Sequence, residues 1–213
     1  MSRNLTFIDR LIEQLDQGLR TLFAPPSPSE SDNPAEHLHE SELDPHERHR
    51  AARLMRVNHC GEICAQALYQ GQALTARLTG IRAQMERAAQ EENDHLAWCQ
   101  HRIEELGSHT SVLNPVFYAG SFTIGALAGL AGDRWSLGFV AETERQVVSH
   151  LRSHLQRLPA KDRRSRAIVE QMKNDEARHA AHAEEAGGVQ LPLPARLAMK
   201  ASAKLMTSTT YWV

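Results

Sequence analysis

Two Glu-x-x-His tetrads each place a carboxylate and an imidazole one helical turn apart. The first is Glu92-Asn-Asp-His95 and the second is Glu176-Ala-Arg-His179. A lone glutamate precedes each tetrad at a similar distance, 30 residues before Glu92 and 32 before Glu176. The candidate ligands are therefore Glu62, Glu92, His95, Glu144, Glu176 and His179. Because the same set of donors occurs twice, the pattern predicts two bound metal ions rather than one.

The chemistry of these donors indicates which metal to expect. Carboxylate oxygen and imidazole nitrogen without a thiolate favour iron or manganese over zinc. A buried carboxylate is very costly when it is alone, and it becomes tolerable when it is paired or coordinates a metal. Two iron ions would balance the charge of four buried glutamates. We therefore expect a di-iron centre through which all six residues act catalytically.

Apolar periodicity separates the candidate ligands from neighbouring acids. In the second long helical segment Glu92 falls on the apolar stripe, whereas Glu91 points away from it. In the third, Glu144 lies within the stripe and Glu142 does not. The other candidate ligands also share faces with apolar residues. All six are therefore predicted to point into the core of a helical bundle.

Four long helices are predicted to position these side chains. They are expected near residues 50–78, 81–106, 134–157 and 162–186, with breaks at Gly80, Gly107, Asp133 and around Pro159. No stretch alternates with a period of two for long enough to indicate a sheet. The predicted fold is all-α, an antiparallel four-helix bundle with one longer crossover.

The N-terminal part of the chain is predicted to lie outside this bundle domain of residues 50–213. Residues 1–23 predict an amphipathic surface helix, because acids interrupt the apolar run that an export signal would need. Residues 24–49 are rich in proline, serine and histidine and predict a flexible linker. A third Glu-x-x-His, at Glu36 and His39, falls in this linker. We interpret it as solvated, since no helix or apolar stripe would aim it.

Two further segments favour contact with a membrane surface. The crossover, residues 110–132, contains no Asp, Glu, Lys or Arg. Its apolar part is shorter than the roughly 20 residues of a spanning helix, so we expect a helix that covers one end of the bundle and dips into a bilayer; a single span is the alternative. Residues 195–213 combine basic and apolar residues and end in Tyr211-Trp212-Val213, which suits the headgroup region. The alternative for this tail is a helix packed on the bundle or on a second subunit.

Composition excludes several other classes of protein. The 24 Lys+Arg nearly balance the 26 Asp+Glu, so nothing favours a nucleic-acid partner. The three cysteines Cys60, Cys64 and Cys99 form no Cys-x-x-Cys pair, which argues against a disulfide framework, a zinc ribbon or a rubredoxin-type site. We expect these cysteines to be small core residues. We expect the protein itself to lie in a reducing compartment, at the cytoplasmic face of the cell membrane.

Other polar residues near the tetrads are candidates for supporting roles. Asp94 and Asp175 could accept the second ring proton of a liganded histidine and so fix its tautomer. His59, His150 and His154 are also near in sequence. We interpret these three as exposed or supporting histidines rather than as a seventh ligand.

The motifs resemble those of the demethoxyubiquinone hydroxylase family of ubiquinone biosynthesis. The resemblance covers roughly residues 50 to 213 and rests on four segments: Arg56-Val-Asn-His-Cys-Gly-Glu62, Glu91-Glu-Asn-Asp-His-Leu96, Ala141-Glu-Thr-Glu-Arg-Gln146 and Asp175-Glu-Ala-Arg-His-Ala180. It implies a ferritin-like di-iron monooxygenase acting with O2 on a polyprenyl benzoquinol at the membrane. It also implies iron ligation by the six residues that the stripes select.

Two other functions remain open at this point. Iron storage or peroxide removal by a ferritin-like bundle would use the same six ligands, but it does not require an apolar crossover. A helical membrane scaffold with a vestigial metal site would consume no oxygen. No flavin or nicotinamide fingerprint is present, so the electron donor is expected to be external. Isoprenoid length, oligomeric state and partner proteins of ubiquinone biosynthesis are not specified by the sequence.

Overall fold

In a computed structural model that describes residues 7–24 and 31–213, the protein is all-α. Among the described residues there are seven helices and no strand. The helices are α1 (Phe7–Phe23), α2 (Pro45–Thr75), α3 (Thr79–Glu105), α4 (Asn114–Leu130), α5 (Asp133–Arg157), α6 (Arg163–Glu185) and α7 (Leu193–Thr210). The predicted fold class is confirmed, and each of the four expected long helices is present.

Local signals explain where these helices begin and end. Asp44 caps α2 by accepting from the Glu47 amide at 2.9 Å, and the Glu47 side chain accepts from the Asp44 amide at 3.0 Å. This reciprocal capping box, with Pro45 in the first turn, starts α2 a few residues earlier than the periodicity predicted. Gly107 follows α3 with a φ of 70°, which only glycine adopts at little cost.

The four long helices α2, α3, α5 and α6 form the bundle, with α2 packed on α3 and α5 packed on α6. Two groups of buried apolar residues lie inside it. One gathers residues such as Leu54, Ile103 and Met172, and the other gathers residues such as Met85 and Leu137. Fully burying each such side chain stabilises the fold by about 1.5–3 kcal/mol. On each helix the predicted ligands fall between the two groups, so apolar layers enclose them on both sides.

The crossover helix α4 lies along the side of the bundle against α2, rather than over one end as expected from the sequence. The two backbones approach so closely that a Cβ on Gly125 would overlap the Leu68 carbonyl oxygen. Likewise, a Cβ on Gly71 would overlap the Phe122 carbonyl. Gly71 and Gly125 are therefore packing positions between the two helices. Among the residues described, no helix combines the length and the apolar character needed to cross a bilayer.

The terminal helices pack on this assembly from outside. Helix α1 lies against α2 and α4, and α7 lies against α2 and α5. The irregular segment 31–44 joins α1 to α2, and its Ala35 and Leu43 are buried. The sequence predicted a flexible linker here; its described part contacts the bundle, and its mobility stays a prediction.

One fully buried arginine ties this segment to the bundle. The Arg102 guanidinium donates to Glu40 of the 31–44 segment, to Glu105 at 2.8 Å and to Asp162 at 2.9 Å. Its Nε donates to the Ser165 hydroxyl at 2.9 Å. The positive charge thus has acidic partners from three separate parts of the chain. Such pairing is what makes a buried charge tolerable.

Candidate metal centre

All six predicted ligand side chains converge in the middle of the bundle. Helix α2 supplies Glu62, α3 supplies the first tetrad, α5 supplies Glu144 and α6 supplies the second tetrad. Each residue is buried except His179, which is half-buried. Helix periodicity predicted that Glu92 rather than Glu91 points into the core. This prediction is confirmed on α3, where Glu92 is fully buried and the Glu91 side chain is 63% exposed.

The two histidines bridge the carboxylates. His95 Nδ1 lies 3.0 Å from Glu92, 3.2 Å from Glu176 and 3.8 Å from Glu62. His179 Nδ1 lies 3.3 Å from Glu92 and 3.2 Å from Glu176. In both rings Nδ1 therefore faces the carboxylates. Glu92 and Glu176 form the centre of the cluster, because each contacts both histidines.

Glu144 occupies one side of the cluster and has a partner that the sequence analysis did not identify. The hydroxyl of buried Tyr69 on α2 donates a hydrogen bond to Glu144 Oε1. Glu144 also hydrogen-bonds with Glu176, which joins it to the other carboxyl groups. Tyr69 shares the inward face of α2 with Glu62, and this shared face was the only signal in the sequence. A phenol two turns from a ligand is usually a core residue, so its role emerges only from the packing of α2 against α5.

Burial and mutual contact shift the pKa values of several groups in the cluster. Burial raises the pKa of Glu62 and of Glu144 well above the usual range of a carboxyl group. Although burial alone would raise the pKa of Glu92, hydrogen bonds from His179 and His95 lower it. Burial opposes protonation of His179, yet its bonds to Glu176 and Glu92 raise its pKa to about 12. The buried acids therefore require nearby positive charge.

The outer nitrogen of each histidine contacts an acid from the opposite tetrad helix. His95 Nε2 lies 3.1 Å from Asp175 Oδ2 on α6, and the supporting contact predicted for Asp175 is confirmed. His179 Nε2 lies 3.0 Å from Glu91 Oε2 on α3. Asp94, which stands beside the ligands in the sequence, was predicted for such a role, and Glu91 was not. The acid that precedes each ligand glutamate thus contacts the histidine of the other tetrad.

Other candidate residues lie elsewhere. His154 is buried and its Nδ1 lies 2.7 Å from Asn58 Oδ1, so it is neither exposed nor part of the cluster contacts described above. Together with His150 it lines a cavity of about 380 Å3 between α2, α5 and α7. Glu142 is off the inward stripe as predicted, yet it is buried because Arg196 of α7 covers it at 3.3 Å.

The third Glu-x-x-His tetrad and two of the three cysteines are placed as predicted. Glu36 and His39 are both exposed in the 31–44 segment. All three cysteines are free, with Cys60 and Cys99 buried and Cys64 partly buried. The prediction of small core residues is therefore confirmed for Cys60 and Cys99, whereas Cys64 is partly exposed.

The cluster fits a metal by its donor chemistry. Glu62, Glu92, His95 and Glu176 each offer one ligand atom, and these atoms all lie within 4.8 Å of one another. No thiolate is among them, which suits iron or manganese. Both histidines present Nδ1 inward and are held from outside at Nε2, the arrangement that fixes the tautomer of a metal-binding imidazole.

Comparison with known proteins gives one family. Residues 49–210 match the family described as Ubiquinone biosynthesis protein COQ7. A protein of Nitrosococcus oceani named 3-demethoxyubiquinol 3-hydroxylase is similar to this chain. The two are 60% identical over 211 residues, which cover 99% of each chain. The relative of that name in Acinetobacter baumannii is 56% identical over 99% of this chain and 100% of its own. The one in Nitrosomonas europaea is 57% identical over 97% of this chain and 99% of its own.

Proposed function

The chain belongs to the COQ7 family of ubiquinone biosynthesis proteins, and we propose that it is a 3-demethoxyubiquinol 3-hydroxylase. The reaction adds one hydroxyl group to the ring of a polyprenyl-methoxy-methyl-benzoquinol. The observation that carries the proposal is the buried cluster of four glutamates and two histidines in the middle of the bundle. The relatives that cover nearly the whole chain carry the name of this activity, so iron storage and peroxide removal are not favoured.

We propose that two iron ions occupy the cluster and that O2 is the co-substrate. The ligands would be the six residues predicted from the sequence: Glu62, Glu92, His95, Glu144, Glu176 and His179. Their donor set and their burial support this assignment. When bound, iron would supply the chemistry that reduces O2. One oxygen atom of O2 enters the ring, and the other leaves as water. An external reductant provides the two electrons that this balance requires.

The side chains of this protein keep the site oriented and dry. Tyr69 orients Glu144 through its hydroxyl group, and Asp175 and Glu91 fix the rings of the two histidines. The apolar groups on either side of the cluster exclude bulk water from it. A dry, preorganised site strengthens each electrostatic contact within it, because no solvent competes for the polar groups.

We propose that the protein works at a membrane surface, where its polyprenyl substrate resides. Exposed apolar residues occur on the two neighbouring helices α1 and α4, among them Ile12, Leu19, Leu127 and Leu130. Helix α7 adds exposed Leu197, Leu205 and the neighbouring Trp212. Such surfaces are typical of proteins that bind lipid or another protein. Peripheral attachment at the cytoplasmic face, a homo-oligomer and partner proteins of the pathway stay expectations of the sequence.

The function is tested by metal counting and turnover on the purified protein in detergent. We expect about two irons per chain, and a ring oxygen that derives from labelled O2 when the reduced protein meets a short-chain demethoxyquinol. The variant Glu176→Gln removes a carboxylate that contacts both histidines and should lose iron and turnover. The double variant Glu36→Gln, His39→Gln changes the exposed tetrad and should retain both. Bound zinc, or full iron without a hydroxylated ring, would contradict the proposal.

A further inference from the structure

The two halves of the cluster contain the same motif, but one histidine ring is held in place more firmly than the other. In each half, an acid just before the ligand glutamate contacts the outer nitrogen of the opposite histidine. The contacts are nearly equal in length, 3.1 Å for His95 with Asp175 and 3.0 Å for His179 with Glu91. The two acids differ, however, in how far they are exposed to solvent and in how many donors hold them.

Asp175 is a buried and well-supported partner of His95. Its side chain is 9% exposed. Gln171 donates to Asp175 Oδ1 at 2.9 Å, and an Arg178 guanidinium nitrogen lies 2.7 Å from the same oxygen. A carboxylate held by several donors away from water keeps a fixed position, so the His95 ring is constrained in its orientation.

Glu91 gives His179 a weaker constraint. The Glu91 side chain is 63% exposed, and His179 itself is 12% exposed. Water competes for both groups, and a long exposed side chain loses rotamer freedom when it holds one geometry. Contacts of this kind contribute less at equilibrium than buried ones do. The His179 ring is therefore less strongly oriented than the His95 ring.

The carboxylates show the same inequality independently. Glu62, Glu92, His95 and Glu176 already offer ligand atoms within 4.8 Å of one another. Glu144 and His179 are not members of that compact group. Glu144 hydrogen-bonds with Glu176 at the edge of that group and also accepts a hydrogen bond from the Tyr69 hydroxyl. One metal position is thus preorganised by four side chains, whereas the second must still recruit Glu144.

We propose that the two metal positions differ in affinity: the one bounded by Glu62, Glu92, His95 and Glu176 fills first, and the one completed by Glu144 and His179 fills second. Glu91 is the positioning residue of the second position, and Asp175 is that of the first. This inference rests on the proposed metal centre and adds an order of filling to it. The preorganised position costs less rearrangement on binding, which is why it has the higher affinity.

The test is a titration of metal-free protein with Co2+, followed by calorimetry and by visible absorption. Wild-type protein should bind two equivalents in two phases, each with its own absorption spectrum. Loss of a residue that orients a liganded histidine typically weakens metal binding by about 10–100-fold. We expect Glu91→Gln to weaken the second phase by about tenfold, the lower end of that range, and to leave the first unchanged. Asp175→Asn should weaken the first phase by about 100-fold.

A matched control and three outcomes complete the test. Glu86→Gln changes another exposed acid on α3 and should alter neither phase. Two equivalents bound with equal affinity would overturn the order of filling while leaving the metal centre in place. Equal weakening of both phases by Glu91→Gln would overturn its assignment as a positioning residue. A protein that binds no Co2+ would remove the metal centre itself, and the inference with it.

Discussion

Buried histidines outside the cluster make the protein sensitive to acid. Burial lowers the pKa of His154 to about 2, and the neighbouring His150 and Arg157 add to this effect. The unfolded chain binds a proton at this position near pH 6.5, whereas the folded protein does not. Because the unfolded state binds more protons, the stability that neutral His154 allows is fully present above pH 6.5. It is lost progressively as the pH falls below that value.

We predict that His154→Gln makes unfolding less dependent on pH. Between pH 7.5 and pH 5 the wild-type free energy of unfolding should fall by about 2 kcal/mol more than that of the variant, since one pKa unit corresponds to ~1.4 kcal/mol. Glutamine retains a donor that can replace the contact of His154 Nδ1 with Asn58. Urea unfolding at the two pH values measures the difference.

His49→Gln serves as the control, because His49 is exposed near the start of α2. It should leave the pH dependence of unfolding as in the wild type. A variant His154→Gln whose stability falls as steeply with acid as the wild type would show that His154 does not contribute. The comparison between variants cancels the effect of the acidic cluster, which is common to all of them.

Individual residues also show what the sequence can predict about the site. Helix periodicity distinguished Glu92 from Glu91, because burial on a helix face is a local property of one helix. It could not predict the contact of Glu91 with His179, which depends on how α3 faces α6. Nor could it predict that Glu142 is buried, since the side chain that covers it comes from α7.

Helices α2 and α4 approach each other so closely that their contact requires glycine. Gly71 on α2 and Gly125 on α4 each face backbone atoms of the other helix. The Thr75 hydroxyl also donates across the contact to the Ala126 carbonyl at 3.0 Å. Small residues permit such packing because no Cβ holds the backbones apart. The sequence showed these glycines, but not which helix they face.

We predict that Gly125→Ala destabilises the protein, whereas Gly120→Ala on the same helix does not. A Cβ at position 125 would overlap the Leu68 carbonyl, and overpacking typically costs about 1–3 kcal/mol. Position 120 has no neighbouring atom within 4 Å, so alanine there should stabilise α4 by about 0.5–1 kcal/mol. Thermal and urea unfolding measure both changes. Equal effects of the two variants would contradict the packing described.

The bounds of the helices depend on capping that periodicity does not detect. The Asp44–Glu47 capping box extends α2 into the segment predicted as linker. At the other end of α2 the break falls at Ala76–Leu78, and Gly80 lies in the first turn of α3 rather than between helices. In both cases the apolar pattern located the helix, and hydrogen bonds at its ends determined its length.

Exposed apolar residues across the molecule favour binding to lipid, and a charge on α4 should oppose it. We predict that Leu127→Asp lowers the fraction of protein bound to vesicles of phosphatidylcholine and phosphatidylglycerol. Leu127 is 61% exposed, and burying a leucine side chain contributes about 1.5–3 kcal/mol, so a loss of about tenfold or more in affinity is expected. Sedimentation with vesicles measures the bound fraction.

The matched control is Gln90→Asp, which adds the same charge to an exposed polar position on α3. It should bind vesicles as the wild type does. Unchanged binding of Leu127→Asp would exclude this part of α4 from the lipid contact. Unchanged turnover with reduced vesicle binding would place the role of α4 in substrate supply rather than in the chemistry.

For the molecule as a whole, the sequence predicted the fold class, the four bundle helices and the family. These follow from hydrophobic periodicity and from motifs, which are properties of short segments. The placement of α4 along α2 was predicted wrongly, because an uncharged segment does not reveal which surface it covers. The same limit applies to α7, where both a packed face and exposed apolar residues occur.

The partners of Arg102 bear on how the chain assembles. Its acidic neighbours come from residues 40, 105 and 162, so no single helical hairpin contains all of them. An intermediate that has formed only the α2–α3 pair or only the α5–α6 pair leaves this arginine hydrated, or buries it without its full set of acids. Burying an unpaired charge is strongly unfavourable. The guanidinium therefore disfavours half-assembled bundles and couples the N-terminal segment and both helix pairs into one cooperative folding transition.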